Sequence, residues 1–201
     1  MSLDPRPMDG RRPGCRARAR DRHVFHGASS PTADDHGHGL AAKLLHPGRP
    51  VLALAGDGAM QTNGLSELIT VASRWRDWTD PRFVVLVLNN GDLAEVSWEH
   101  REMEGDPRFP ASQEVPPFPY AEYAELHGVR VARPEQVSVA WREAFAAERP
   151  TLVEAVVDPD TPLLAPRQPG EKVEQTERAL RQEPSGEQPE ALLREQRQTE
   201  P

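Results

Sequence analysis

Residues 51–58 read Val-Leu-Ala-Leu-Ala-Gly-Asp-Gly, an apolar run that ends abruptly in two glycines and a carboxylate. A second run, Phe-Val-Val-Leu-Val-Leu at residues 83–88, ends in Asn89 and Asn90. Continuous apolar runs of this length are typical of strands in a parallel sheet that is covered on both faces. Because ligands of open α/β sheets bind at the carboxyl ends of the strands, these two strand ends are the candidate functional site.

The rest of the central region alternates between helix and strand patterns. Apolar residues at helical spacing predict helices at about 39–45, 59–75, 93–103 and 120–128 and a further helix from Pro134, and shorter apolar runs predict strands at 129–132 and 152–157. The segment 105–119, rich in proline and charge, predicts a loop. This alternation predicts an α/β fold: a parallel sheet with right-handed crossovers and helices on both faces.

Two polar ends flank this region. Residues 1–36 contain seven arginines between Arg6 and Arg22 and show no periodicity, which predicts a disordered segment, with a basic interaction arm as the alternative. Residues 37–166 form the predicted domain. Residues 167–201 predict a polar tail that is mostly disordered or forms short helices at 172–181 and 190–197.

Composition and charge exclude several classes of protein. The 201 residues carry a formal net charge of −8, which argues against nucleic acid as the main partner. The single cysteine, Cys15, cannot form an intrachain disulfide, so a reducing compartment is expected. No run approaches the length of a membrane span and the N-terminus lacks the apolar core of a signal peptide, so the expected location is cytoplasmic.

The residues at the two strand ends suit a hard cation that bridges a phosphate. Mg²⁺ prefers oxygen ligands, which Asp57 supplies as a carboxylate, Asn90 as an amide and Asp92 as a backbone carbonyl. Gly56 and Gly58 let the backbone approach a phosphate, and the helix from Ala59 offers free N–H groups. Gly-Asp-Gly and Asn-Asn are each common turn sequences. Only their order, after two apolar strands with a helix between them, makes the pattern specific.

With those residues in place, the chain resembles a known family. Gly-Asp-Gly-Ala-Met at 56–60 through Asn-Asn at 89–90 is similar to the thiamine diphosphate (thiamine pyrophosphate, TPP) signature. Residues 63–70, 75–82 and 89–101 resemble the branch that contains pyruvate oxidase, pyruvate:quinone dehydrogenase and acetolactate synthase. The resemblance covers roughly residues 39–166 and implies the thiamine diphosphate-binding fold.

The resemblance also implies a function. The chain would be the C-terminal, diphosphate-binding domain of a 2-keto acid decarboxylating enzyme of the oxidase or synthase type, acting on a substrate such as pyruvate. Asp57, Asn90 and the carbonyl of Asp92 would hold Mg²⁺, and Gly58 and Ala59 would contact the diphosphate through backbone N–H groups. The cofactor would carry the chemistry, and the protein would supply orientation and electrostatics.

The sequence departs from this family in one respect that bears on activity. The glutamate that activates the cofactor lies on another domain in the family, normally across a dimer interface, and Glu67, Glu95, Glu99 and Glu102 stand on the wrong module to replace it. No catalytic residue is therefore assigned, and the chain alone is expected to be inactive. Its expected partners are a pyrimidine-binding domain or homologous subunit, within a homo-oligomer. The alternative is a truncated, non-catalytic remnant that retains at most diphosphate and Mg²⁺ binding.

The start of the chain shows a second departure. Residues 29–38 do not match the methionine-bearing stretch that precedes the first strand in the family. A frameshifted or misassigned start is the hypothesis for residues 1–36.

Other candidate residues carry weaker signals. The aromatic residues Trp98, Trp141, Tyr120 and Tyr123 are expected to be core or interface residues. Glu99 and His100 follow the loop that would hold the metal. They are expected to lie on a solvated helix face, with contact to a substrate as the alternative. His36 and His38 form a weak metal-binding pattern, and Cys15 with His23 and His26 lacks the ligand count of a zinc site.

Overall fold

The computed structural model describes residues 35–123, 126–162, 169–184 and 186–198. A helix leads into the first strand, and the helical segment that follows this strand has a π-helical turn at Met60–Gly64. Single 3₁₀ turns lie at Trp75–Asp77, Tyr120–Glu122 and Pro134–Gln136. The helices and strands are α1 Asp35–Leu45, β1 Val51–Gly56, α2 Asp57–Ala59, α3 Leu65–Arg74, β2 Phe83–Asn89, α4 Ala94–Met103, α5 Pro110–Gln113, β3 His127–Val131, α6 Val137–Ala146, β4 Thr151–Val156, α7 Gly170–Leu180 and α8 Glu187–Gln198.

The strands form one sheet, and its pairs are all parallel. Within the described residues the sheet has four strands in the order β1-β2-β4-β3. Gly56 lies opposite Leu88, so the carboxyl ends of β1 and β2 are adjacent at one edge of the sheet. The predicted parallel α/β fold is confirmed.

Helices pack on both faces of the sheet because side chains alternate along each strand. Phe83, Val85 and Val87 of β2 face α1 and α3, in a core that also contains Leu40, Ala53, Leu68, Val71 and Leu152. Val84 and Val153 face α6, in a second core with Val131, Ala140 and Ala144. The second face is covered unevenly, since Leu52 and Leu54 of β1 are 45% and 48% exposed.

The helix predicted over residues 120–128 is wrong. The structure has only the 3₁₀ turn Tyr120–Glu122, and β3 begins at His127, while residues 124 and 125 lie outside the described residues. Gly128 is not a helix terminator but a strand residue that packs on this turn. A Cβ at Gly128 would lie 1.5 Å from the backbone oxygen of Ala121. The predicted loop over 105–119 also contains the one-turn helix α5.

The C-terminal region, for which the sequence predicted disorder or short helices, contains the two helices α7 and α8. Helix α7 packs on α4 and α8 packs on α7, and Leu180 and Leu193 share a buried cluster with Ala94 and Trp98. The apolar residues of this polar region are few, and their burial is concentrated at this one contact.

Several expectations fall on residues that the structure does not describe. The predicted disorder or basic arm within residues 1–34, the hypothesis of a frameshifted start and the residues Cys15, His23 and His26 lie outside the described residues. Among the helices that are described, none has the length and apolar character needed to cross a membrane.

Candidate functional site

Asp57 joins the two strand ends that the sequence analysis singled out. Its carboxylate follows β1 directly and is 2% exposed. Oδ1 accepts a hydrogen bond from the backbone N–H of Gly58 at 2.9 Å, and Oδ2 accepts one from the N–H of Gly91 at 2.6 Å. Gly91 belongs to the loop after β2, so this carboxylate holds the carboxyl ends of β1 and β2 together.

The loop 90–93 has a defined conformation. The side-chain oxygen Oδ1 of Asn90 accepts a hydrogen bond from the N–H of Asp92 at 3.0 Å, and Gly91 adopts φ +68°, a left-handed conformation that favours glycine. Leu93 N–H donates to the Gln113 carbonyl at 2.7 Å, which ties the loop to the C-terminal end of α5. Asn89 instead donates through Nδ2 to Oε1 of Glu154 at 2.9 Å. Of the two asparagines, Asn90 is therefore the one placed on the loop.

The charge of Asp57 has no cationic side-chain partner in the described part of the chain. Burial raises the pKa of the Asp57 carboxyl above its usual value, while hydrogen bonds from the N–H groups of Gly91, Gly58 and Asn90 oppose that rise. No described lysine or arginine forms an ion pair with it. A buried carboxylate of this kind is stabilised by a bound cation.

Oxygen donors of the type that Mg²⁺ prefers lie next to this carboxylate in the chain. An amide oxygen has two lone pairs, so Asn90 can accept the bond from Asp92 and still bind a cation. Among the described residues, no hydrogen-bond donor reaches the carbonyl oxygen of Asp92. The described residues contain no cluster of three or more His, Cys, Asp or Glu side chains suited to a metal. The donor set of one carboxylate, one amide and one carbonyl therefore fits a cation that also binds phosphate.

Gly56, which precedes α2, and Gly58, which lies within it, differ in their surroundings. Gly56 has extended backbone and a Cβ there would meet nothing within 4 Å, so the space beside it is open. A Cβ at Gly58 would lie 2.5 Å from Cδ2 of Leu93, so this glycine is also required by the loop that packs on it. The first N–H groups of a helix have no partner within the helix, which leaves the backbone at Ala59 suited to an anion.

The comparison with protein families shows which family the chain belongs to. Residues 15–155 match the family described as thiamine pyrophosphate enzyme, C-terminal TPP binding domain. The chain belongs to this family. The TPP-binding domain that the resemblance implied is thereby confirmed.

Two known proteins are similar to this chain in sequence. The putative thiamine pyrophosphate-containing protein YdaP of Bacillus subtilis (strain 168) is 24% identical over 124 residues, which is 62% of this chain and 21% of YdaP. The 2-hydroxyacyl-CoA lyase of Arabidopsis thaliana is 27% identical over 134 residues, which is 61% of this chain and 22% of the lyase.

A solved structure is similar as well. The thiamine diphosphate-dependent 4-hydroxybenzoylformate decarboxylase of Rhodococcus jostii RHA1 superposes with a TM-score of 0.52 and 28% identity, covering 60% of this chain and 22% of the decarboxylase. The chain therefore spans about a fifth of the length of the relatives that it matches.

Tyr120 is a residue of the TPP-binding domain whose position sequence reasoning did not anticipate. It is buried, as predicted for a core aromatic, but its hydroxyl donates to the backbone carbonyl of Asp57 at 3.0 Å and accepts from Nε2 of Gln61 at 3.1 Å. Burial raises the pKa of Tyr120 to about 12, so the hydroxyl stays protonated and remains a donor. Nothing in the spacing from residue 57 to residue 120 indicates this contact, because it depends on the path of the loop before β3.

The side chain of Asp92 is buried and binds two neighbouring side chains. Its Oδ2 accepts from Oγ of Ser97 at 2.8 Å, and its Oδ1 accepts from Nε and a terminal nitrogen of Arg108 at 2.9 and 2.8 Å. The side-chain oxygens of Asp92 are therefore occupied, and the role of its backbone carbonyl as a metal ligand stays a prediction. The contribution of Arg108 was missed, because it lies in a segment whose sequence indicated only a loop.

The remaining candidate residues make no contact with Asp57 among the described residues. Glu99 and His100 are exposed on α4, where His100 Nδ1 lies 3.4 Å from Nε2 of Gln113. Glu102 forms an ion pair with Lys172 at 3.1 Å. Trp98 is buried and Trp141 is half-buried in the second core, as predicted for core aromatics. No described contact joins Glu67, Glu95, Glu99 or Glu102 to Asp57 or Asn90.

Proposed function

We propose that this chain binds TPP together with Mg²⁺ at the carboxyl ends of β1 and β2, as the C-terminal domain of a 2-keto acid decarboxylating enzyme. The observation that carries the proposal is the buried carboxylate of Asp57, which has two backbone N–H donors at 2.9 and 2.6 Å and no cationic side-chain partner among the described residues. TPP binding is the property that names the family. The metal, the reaction and the substrate class are proposed.

The proposed roles follow from the chemistry of each group. The Asp57 carboxylate, the Asn90 amide oxygen and the Asp92 carbonyl would hold Mg²⁺, which would offset the charge of the bound diphosphate. The backbone N–H of Ala59, at the start of the helix, donates to the diphosphate. The N–H of Gly58 reaches the diphosphate only by giving up its bond to Oδ1 of Asp57. Gly56 keeps the approach to these groups open.

TPP, when bound, supplies the nucleophilic carbon and the electron sink for loss of CO₂ from a 2-keto acid. Asp57, Asn90 and the helix start offset the negative charge of the diphosphate and fix its position. The activating glutamate would come from a pyrimidine-binding domain or a homologous subunit, in a homo-oligomer. An enzyme of the oxidase or synthase type is favoured by the resemblance of residues 63–70, 75–82 and 89–101, and the decarboxylase and lyase among the relatives support chemistry of the same general kind.

The test is titration calorimetry of the full chain with TPP, with and without Mg²⁺. We expect Mg²⁺-dependent binding that Asp57→Ala weakens by at least about 100-fold, since even residues that only support a metal ligand change affinity by about 10- to 100-fold. Asp77→Ala is the matched control, because Asp77 is an exposed carboxylate paired only weakly with Arg74, at 4.0 Å. A folded wild-type chain that does not bind TPP would contradict the proposal and favour the non-catalytic alternative.

A further inference from the structure

Glu183, in the turn that follows α7, makes a buried ion pair near the proposed site. Its Oε1 accepts from Nε of Arg101 at 2.8 Å, and its Oε2 accepts from a terminal nitrogen of Arg101 at 2.9 Å. The two side chains are 9% and 3% exposed. Two parallel hydrogen bonds from a guanidinium to a carboxylate fix geometry more firmly than a single contact does.

The same carboxylate also holds the segment that carries Arg108. Oε1 of Glu183 accepts from the backbone N–H of Arg108 at 2.7 Å. The Arg108 guanidinium in turn binds Oδ1 of Asp92, and the N–H of Asp92 donates to Oδ1 of Asn90. An unbroken series of contacts therefore runs from Glu183 through Arg108 and Asp92 to Asn90, and we call these residues with Arg101 the Glu183 network.

Helix α7 supplies a second contact to the same segment. Arg178 donates from a terminal nitrogen to the carbonyl of Glu104 at 2.7 Å and from Nε to the carbonyl of Gly105 at 3.3 Å. Both Arg178 and Glu183 lie beyond residues 15–155, the part of the chain that matches the family. The contacts are thus made by a region that the family description does not include.

We propose that Glu183 is a positioning residue for the TPP and Mg²⁺ site, acting through Arg108 and Asp92 to hold the loop 90–93 in its binding geometry. The inference rests on the proposed function of that loop. Loops at ligand sites belong to the less stable parts of proteins, and a loop that is ordered before binding loses less entropy when the ligand arrives. The Glu183 network supplies that order from outside the sheet.

The test compares Glu183→Gln with Glu190→Gln in the full chain. Glu190 is a matched control, because it forms an ion pair with Arg194 within α8 and makes no described contact to the loop 90–93. In the cofactor-free chain we expect Glu183→Gln to speed amide hydrogen exchange at residues 91–93. In calorimetry with saturating Mg²⁺ we expect it to raise the Kd for TPP by about 10-fold or more. Glu190→Gln is expected to change neither quantity.

A second variant separates positioning from loss of fold. If Glu183→Gln does not fold, the double variant Arg101→Met with Glu183→Met replaces the ion pair by apolar side chains, an exchange that is often neutral for stability. It removes the side-chain acceptor for Arg108 N–H altogether, so changes in exchange and Kd in the same direction are expected. Unchanged exchange and Kd in a folded variant would overturn the inference. A wild-type chain that does not bind TPP would instead overturn the proposed function, and the exchange comparison would still decide whether Glu183 orders the loop.

Discussion

Tyr120 illustrates how a single hydroxyl supports the site. Its O–H donates to the Asp57 carbonyl from a buried position, and its raised pKa, about 12, keeps it protonated through the neutral range. Tyr120→Phe removes this donor and leaves the Asp57 carbonyl and Nε2 of Gln61 each without one partner. We expect the free energy of unfolding, measured by urea denaturation, to fall by about 1–2 kcal/mol, and the affinity for TPP to fall because Asp57 is less well fixed.

Tyr123→Phe is the control for that prediction. The Tyr123 ring packs on Phe118 with centroids 5.2 Å apart, but in the described structure its hydroxyl makes no hydrogen bond. The variant should therefore unfold at nearly the wild-type urea concentration. Equal losses from the two substitutions would mean that the Tyr120 hydroxyl contributes nothing particular.

Residues next to strand ends could be predicted from the sequence, whereas residues that reach the site from elsewhere could not. Asp57 and Asn90 directly follow apolar runs, and the end of a buried strand is recognisable in one dimension. Tyr120, Arg108 and Glu183 approach the same place from segments that are distant along the chain. Their sequence surroundings indicate a helix for Tyr120, a loop for Arg108 and a polar tail for Glu183, and only the folded path of the chain makes them neighbours.

The elements of the fold show the same division. Continuous apolar runs predicted β1, β2 and β4 within one or two residues, because strands of a parallel sheet consist largely of apolar residues. The order β1-β2-β4-β3 could not be predicted, since alternation of helices and strands indicates parallel pairing and not which strands are neighbours. The helix predicted over 120–128 failed because Gly128 resembles a helix terminator, whereas its role depends on a backbone that approaches from residue 121.

The close approach of Gly128 to the turn Tyr120–Glu122 can be tested by substitution. A Cβ there would lie 1.5 Å from a backbone oxygen, and backbone cannot turn aside as a flexible side chain can. We expect Gly128→Ala to separate β3, at the edge of the sheet, from the turn Tyr120–Glu122. The free energy of unfolding should fall by about 3 kcal/mol or more, and amide exchange in β3 should rise above that in β1. Gly170→Ala is the control, because a Cβ there meets nothing within 4 Å, and an equal effect of both substitutions would contradict the argument.

The whole molecule has an apolar surface that its own described residues leave uncovered. The strand register places Leu52, Leu54 and Leu88 on the same face, on adjacent strands β1 and β2, and they are 44–48% exposed. Helix α6 covers the same face over β3 and β4 but does not extend over β1 in the described core. We expect contiguous exposed apolar surface of this kind to be a site of association. The sequence analysis expected a homo-oligomer in the full-length family, and this surface gives that expectation a location on this chain.

Leu54→Lys tests whether this surface drives association. A charge placed between Leu52 and Leu88 would have to be buried without a partner if two copies met there, which costs several kcal/mol per ion. We expect the wild-type sedimentation coefficient to rise with protein concentration and that of Leu54→Lys to stay constant, while the far-ultraviolet circular dichroism of both is the same. Ile69→Lys is the control, since Ile69 is 60% exposed on α3 and belongs to the opposite side of the sheet. If Ile69→Lys abolished the rise and Leu54→Lys did not, association would involve the α3 side, and the uncovered part of the sheet would have another role.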